Sequence, residues 1–138
     1  MTQLIDDYNS AFSTWNAAFQ TFKARRDALG LSSLAADEQA AVRAYAEAKA
    51  ADRGAGLAEP SAETLAAKRA LDVAREAHNM AQTAKDQAAS ECNRVRSEAQ
   101  LNALTDAMRA RFSELSKLNS MSAEETQELA AIRAALGD

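Results

Sequence analysis

The sequence predicts an all-α protein, built as a long antiparallel helical hairpin with a coiled-coil-like, alanine-lined arm and a three-helix base. Residues 61–118 contain neither glycine nor proline and are rich in Ala, Lys, Arg, Glu, Gln and Leu, the strong helix formers. Aromatic residues make up only 5% of the chain and proline occurs once, a composition that disfavours strands. We expect one domain over residues 1–138, with helices at about 2–29, 34–53, 62–118 and 123–136.

The first helix carries an unbroken heptad of mostly large side chains. The alternating three- and four-residue spacing is typical of the buried side of a coiled coil. Gly30 is a natural residue to end this helix, and Ser32 or Ser33 is a candidate N-cap for the second. The predicted core positions of the first helix are Ile5, Tyr8, Phe12, Trp15, Phe19, Phe22, Arg26 and Leu29.

The second helix is dominated by alanine. Its larger apolar residues are only Leu34, Val42 and Tyr45, and Ala40, Ala44, Ala48 and Ala51 fill the rest of its predicted face. Residues 54–60 hold two glycines and the only proline, so they form the clearest loop in the chain. This loop should reverse the chain direction, with Ser61 as N-cap of the third helix.

The third helix has two halves whose apolar patterns are out of phase. The stretch 91–96 between them indicates a stutter, with local bending or a helix break. A competing arrangement therefore breaks the long helix near residues 91–97 and gives a compact bundle of four or five helices. The first half has Ala67, Ala70, Ala74, Ala77, Ala81, Ala84 and Ala88 at heptad spacing, and the second has Leu101, Leu104, Met108, Phe112, Leu115 and Leu118.

A short last helix is predicted from its own start signal. Ser122 and Glu125 have the spacing of a capping box, and Gly137 ends the segment. Leu129, Ile132 and Leu136 lie on one face, which can pack on the base.

In the predicted hairpin, residue i faces residue 116 − i. Large residues then meet large ones: Ile5 faces Phe112, Tyr8 faces Met108 and Phe12 faces Leu104. Nothing in the choice of loop forces this agreement, so it supports the hairpin.

The aromatic residues of the first helix are the candidate interface. In the same register Phe19 and Phe22 face only Ser97 and Arg94, so their rings look poorly covered. Aromatic side chains anchor protein interfaces, and we predict a binding or oligomer surface formed by Phe12, Trp15, Phe19 and Phe22. The alternative is that these rings are core covered within the same chain.

No catalytic or metal-binding pattern is found. His78 and Cys92 lie fourteen residues apart on one helix, or about 21 Å, so they cannot share a metal. We expect His78 at the surface or at an edge, and Cys92 as a buried or half-buried structural thiol. The sequence therefore predicts no enzyme, no cofactor, no metal and no small-molecule substrate.

The net charge and the N-terminal sequence restrict the partners and the location that we expect for the protein. A net charge of −4 without a basic face argues against nucleic acid, although the arginines at 94–111 keep a nucleic-acid-associated coiled coil as a third hypothesis. No apolar run approaches the roughly 20 residues of a membrane span, and no signal peptide is recognised. We expect a cytoplasmic protein or a component of a particle assembled inside the cell.

An alanine-lined arm is marginally stable alone, so the architecture favours assembly. The first hypothesis is a non-catalytic structural or assembly protein that packs through long helices with itself or into a larger particle. A bacteriophage virion or assembly component would suit such a chain, although no motif points there. The second is a small helical adaptor, inhibitor or chaperone that binds a different protein through one helix face.

Overall fold

The computed structural model describes residues 2–137, and this part of the chain is all-α, as the sequence predicts. Five helices replace the predicted four, and no strand occurs among the described residues. They are α1 (Thr2–Ala28), α2 (Leu31–Gly54), α3 (Ala62–Glu98), α4 (Leu101–Ser116) and α5 (Ala123–Leu136).

The prediction of one helix over 62–118 is wrong, because the chain breaks between α3 and α4 at Ala99 and Gln100. Gln100 has a left-handed backbone with φ 57° and caps α4 without a side-chain hydrogen bond. Arg96 Nε donates to Asn102 Oδ1 across the break, at 2.9 Å. The break lies just beyond the stretch in which the sequence indicated a stutter.

The break has a physical reason in the apolar pattern. Continued without interruption, the heptad of α3 would turn Asn102, Asp106 and Arg109 towards the core. The left-handed residue shifts the phase by one position. As a result Leu101 and Met108 are buried in α4, while the three polar residues are exposed.

Substituting Gln100 with glycine should stabilise the protein by about 0.5–1 kcal/mol. A left-handed backbone costs an L-residue roughly 1–2 kcal/mol, and glycine adopts it freely. Thermal or urea unfolding measures the change. The control is Ser97→Gly inside α3, which should destabilise by about 0.5–1 kcal/mol because glycine disfavours a right-handed helix. A loss of stability in both variants would contradict the assignment of the break.

The chain divides into two compact units. The base unit comprises 1–22 and 89–138, and the hairpin unit comprises Lys23–Ala88. This division leaves the prediction of a single domain over 1–138 untested, because two compact units can belong to one domain.

The base unit has a core shared by α1, α4 and α5, as expected for a three-helix base. Tyr8 and Met108 belong to the same core, in agreement with the predicted register. The predicted burial of Phe12 is wrong: its side chain is 41% exposed, and neighbouring Ala11 is buried instead. The buried residues of this core are Tyr8, Ala11, Leu101, Met108, Leu115 and Ile132.

The last helix begins and ends as predicted. The Ser122 hydroxyl accepts from the Glu125 N–H at 3.1 Å, and the Glu125 carboxylate accepts from the Ser122 N–H at 3.0 Å. Gly137 ends α5 in the left-handed conformation. Arg111 of α4 donates to both carboxylate oxygens of Glu128 on α5, at 2.8 and 3.0 Å, and so fastens the two helices together.

The hairpin unit consists of the end of α1, α2 and the first part of α3. Helix α2 begins at Leu31 rather than at about residue 34, because only Leu29 and a left-handed Gly30 separate it from α1. Gly30 also takes the N-cap position predicted for Ser32 or Ser33. A loop after Gly54 reverses the chain, and α2 and α3 run antiparallel.

Two hydrogen bonds fix the register of this hairpin. Thr64 Oγ1 donates to Asp52 Oδ2 at 2.6 Å, and His78 Nδ1 lies 2.6 Å from Glu38 Oε2. Both pairs obey the predicted rule that residue i faces residue 116 − i. The register was therefore correct, although the position of the loop and the matching of large and small residues, and not these polar pairs, suggested it.

Candidate protein-binding surfaces

Five aromatic side chains form a continuous row along α1 in the base unit. Successive ring centroids are separated by 6.1, 5.7, 5.0 and 6.3 Å, within the range of favourable aromatic contacts. We call this set the aromatic row: Tyr8, Phe12, Trp15, Phe19 and Phe22.

The four predicted interface residues differ in exposure. Phe12 is exposed, whereas Trp15, Phe19 and Phe22 are half-buried. Trp15 packs against the base core, and the Arg96 guanidinium lies 5.0 Å from the centroid of its ring. The structure thus brings the four rings together in one row, and their role as an interface stays a prediction.

A polar pair interrupts the interior of the hairpin, where the sequence analysis expected alanine and placed the histidine at the surface or at an edge. The side chains of His78 and Glu38 are only 19% and 26% exposed. Arg75 Nε lies 3.8 Å from Glu38, and Gln82 Nε2 lies 3.3 Å from His78 Nε2. His78 is therefore half-buried, so a fully exposed surface position is wrong, whereas the edge position, the other expected alternative, agrees with its partial exposure. Only the pairing register, applied to residue 78, could have placed Glu38 opposite it.

A second polar group closes the hairpin at its loop. The Asp52 carboxylate accepts from the Thr64 hydroxyl at 2.6 Å and from the Ser61 N–H at 3.0 Å. These hydrogen bonds, that of Thr64 first, lower the pKa of the Asp52 carboxyl below its ordinary value. Ser61 also caps α3 as predicted, because its hydroxyl accepts from the Thr64 N–H at 3.2 Å.

The stability contributed by Asp52 should depend on pH. Its pKa is lowered in the folded state, so the stabilisation is present above the unfolded pKa of about 3.8 and is lost as pH falls through the lower folded value. We expect Asp52→Ala to lower the melting temperature at pH 7, and the difference from the parent protein to shrink towards pH 2–3. Thermal unfolding across this pH range measures both effects.

Asp37→Ala is the matched control, because Asp37 is an exposed α2 carboxylate outside this hydrogen-bonded group. Its effect on the melting temperature should be small at pH 7. A deficit of Asp52→Ala that stayed constant down to pH 2 would contradict the role assigned to the Asp52 carboxylate.

The interior of the hairpin contains most of the alanines predicted for α3 but only one of those predicted for α2. On α3, Ala70 is exposed and Leu71, at 3% exposure, is buried in its place, whereas the other predicted alanines are buried (Ala81, Ala88) or half-buried (Ala67, Ala74, Ala77, Ala84). On α2, Ala48 is half-buried, whereas Ala40, Ala44 and Ala51 are exposed. The core positions of α2 are Leu31, Leu34, Glu38, Ala41, Tyr45, Ala48 and Asp52, and those of α3 are Thr64, Ala67, Leu71, Ala74, His78, Ala81, Lys85 and Ala88.

A second apolar surface lies beside this interior. On each helix, the residue directly before a core position points to one side of the hairpin. This side is the same for both helices, because positions that are equivalent relative to the core lie on the same side of an antiparallel helix pair. Val73 and Met80 lie there and are 68% and 65% exposed. We call this side the alanine face; its apolar members are Ala40, Ala44 and Ala51 on α2 and Ala66, Ala70, Val73, Ala77, Met80 and Ala84 on α3.

The sequence analysis missed the alanine face because alanine occupies both the core positions and the positions just before them. A count of alanines at heptad spacing cannot separate the two sets. Leu71 and Val73 were the available signal, since they fix which alanines face α2 and which face outward.

The remaining candidates give no site. Cys92 is buried, as predicted for a structural thiol. Within residues 2–137, no three His, Cys, Asp or Glu side chains converge to hold a metal ion. In the same part of the chain, no helix has the length and apolar character needed to cross a membrane.

Comparison with protein-family models, with curated proteins and with solved structures finds no match to this chain.

Proposed function

We propose that the chain is a non-catalytic structural or assembly protein that packs with copies of itself into a homo-oligomer or a larger particle. The observation that supports this proposal is the thin interior of the hairpin unit. Leu71 is the only large apolar side chain among its buried residues, which otherwise are Thr64, Ala81 and Ala88.

Simple energetics connect this thin interior to assembly. A fully buried leucine contributes about 1.5–3 kcal/mol, and an alanine methyl clearly less. Ordering the backbone costs about 1–2 kcal/mol per residue. A hairpin with so little buried apolar surface gains stability when another helix covers its exposed alanine, valine and methionine side chains.

The test is the mass of the purified chain over a concentration series. Self-assembly predicts a mass above the 14.8 kDa of one chain that grows with concentration, together with a melting temperature that rises with concentration. Analytical ultracentrifugation and thermal unfolding measure these two quantities. A mass of one chain at every concentration would refute the proposal.

A second function rests on the aromatic row. Exposed Phe12 extends a line of contacting rings along α1, and such a row suits a helical adaptor, inhibitor or chaperone that binds a different protein. This function predicts a monomer or dimer of fixed mass. Phe12→Ala would then leave the mass and the fold unchanged and weaken binding of that protein.

For the biological setting we propose a bacteriophage virion or assembly component. What supports this setting is a small, helical chain with a single cysteine. Electron microscopy of the concentrated protein tests this proposal, since an assembly component of this kind should form regular particles or filaments.

A further inference from the structure

We propose that the alanine face of the hairpin unit binds the alanine face of a second copy of this chain. The two hairpins lie antiparallel about a twofold axis that passes between residues 72 and 73 of α3. The four helical segments then form an all-antiparallel bundle. This inference rests on the proposed function and names the surface and the geometry of self-assembly.

The two sides of the hairpin differ sharply in charge. Of the fifteen residues that precede a core position, and so lie on the side of the alanine face, only Asp37, Glu47 and Glu63 are charged. The opposite side is formed by the fourteen residues that directly follow the core positions from Leu31 to Lys85. Six of these fourteen residues are charged. These are Lys49, Arg53, Lys68, Asp72, Arg75 and Asp86. The charged side is well solvated by water, so the alanine face is the side that an apolar partner covers.

The apolar pattern selects the orientation of the partner. On α3 the six face positions from Ala66 to Ala84 are all apolar, whereas α2 carries its acids Asp37 and Glu47 among its alanines. When α3 packs on its own copy, Met80 lies over Ala66 of the partner subunit. When α3 packs on α2 of a parallel copy, Met80 lies opposite Asp37 instead. Burying apolar side chains against one another favours the first arrangement.

The charges at the edge of the face are complementary in this arrangement. Arg69 and Glu76 flank the apolar row of α3, and neither takes part in an ion pair within residues 2–137. The twofold axis sets Arg69 opposite Glu76 of the partner subunit, and symmetry repeats the pair. At the same level of α2, Arg43 comes near Glu47 of the partner subunit. Four opposite-charge contacts therefore surround the apolar centre.

The first experiment measures dimerisation of the full chain by sedimentation equilibrium. The double substitution Val73→Asp, Met80→Asp places charges in the apolar centre and should weaken dimerisation more than a hundredfold. Val42→Asp is the matched control, because Val42 is 41% exposed on the opposite side, and it should leave the dissociation constant within about threefold. Helical circular dichroism verifies that each variant is folded.

Charge reversal tests the pairing itself. Arg69→Glu or Glu76→Arg alone should weaken the dimer by about 2- to 30-fold, because each removes two opposite-charge pairs at an exposed edge. The double variant Arg69→Glu, Glu76→Arg should recover the parent affinity. A parallel dimer would not recover, since residue 69 would then face Glu47 of the partner subunit.

Cysteine cross-linking tests the axis. In a Cys92→Ala background, Val73→Cys should form a disulfide-linked dimer, because the two copies of residue 73 lie beside the axis. Met80→Cys should not, since the two copies are about 22 Å apart along the helix, beyond the roughly 4.4–6.8 Å between the Cα atoms of a disulfide.

The outcomes separate the two proposals. A single-chain mass at every concentration overturns both the inference and the proposed function. A concentration-dependent mass that Val73→Asp, Met80→Asp leaves unchanged overturns the inference and leaves self-assembly standing. Failure of Val73→Cys to cross-link in a dimer that the aspartates disrupt overturns the antiparallel geometry.

Discussion

Replacing Met108 with alanine should lower the free energy of unfolding by about 2–5 kcal/mol, the range for methionine or leucine truncation in a closed core. Met108 is 0% exposed and belongs to the core that Tyr8, Leu115 and Ile132 also form. Three helices contribute to that core, so the neighbours of Met108 are held from several sides and cannot close the cavity fully. Urea denaturation followed by circular dichroism measures the change.

The control is Met121→Ala, which removes the same atoms from a side chain that is 38% exposed in the segment before α5. Its effect should stay within about 0.5 kcal/mol. Equal losses in the two variants would mean that Met108 is not enclosed as the structure shows. If only Met121→Ala lowered the free energy of unfolding, the core of the base unit would have been assigned to the wrong residues.

The sequence predicted those parts of the fold that depend on strong local signals. The capping box of Ser122 and Glu125, the loop after Gly54 and the left-handed Gly137 each follow from the chemistry of one or two residues. The register followed from a non-local argument, the matching of large and small side chains. The Asp52–Thr64 and Glu38–His78 hydrogen bonds agree with this register.

The errors arose at positions where the residue type does not indicate the backbone conformation or the burial. Nothing in the residue type marks Gln100 as left-handed, since glutamine favours a helix, and only the demand to bury both Leu101 and Met108 requires the break there. Phe12 and Ala11 exchanged places for a related reason. A row of aromatic residues at heptad spacing suggests a buried side, but a small residue fits where helices approach closely.

Of the two candidate surfaces, the sequence indicated one and did not indicate the other. The aromatic row was recognised because aromatic residues are rare in this chain, so their spacing is easy to detect. The alanine face was not, because alanine is helix-forming, weakly apolar and abundant, and its position says little about what it faces. Burial of Leu71 and exposure of Val73, two residues apart, separate the inside of the hairpin from its alanine face.

Leu71→Ala should destabilise the hairpin unit by about 2–5 kcal/mol, since it removes the one large apolar side chain that this unit buries. In the established register Leu71 lies opposite Tyr45, between the Glu38–His78 and Asp52–Thr64 pairs. Those polar pairs fix the alignment of the helices but contribute little apolar burial. The loss at Leu71 therefore falls on a region with few other apolar contacts to offset it.

Hydrogen exchange locates this effect. Amide protection in α2 and in the first part of α3 should fall strongly in Leu71→Ala, while α4 and α5, whose core is separate, keep theirs. Leu65→Ala is the control, because Leu65 lies on the same helix at 46% exposure and should change protection little. Equal loss of protection in α5 would show that the two units unfold together. In that case the hairpin would draw its stability from the base unit, and a partner copy would be less necessary for its folding.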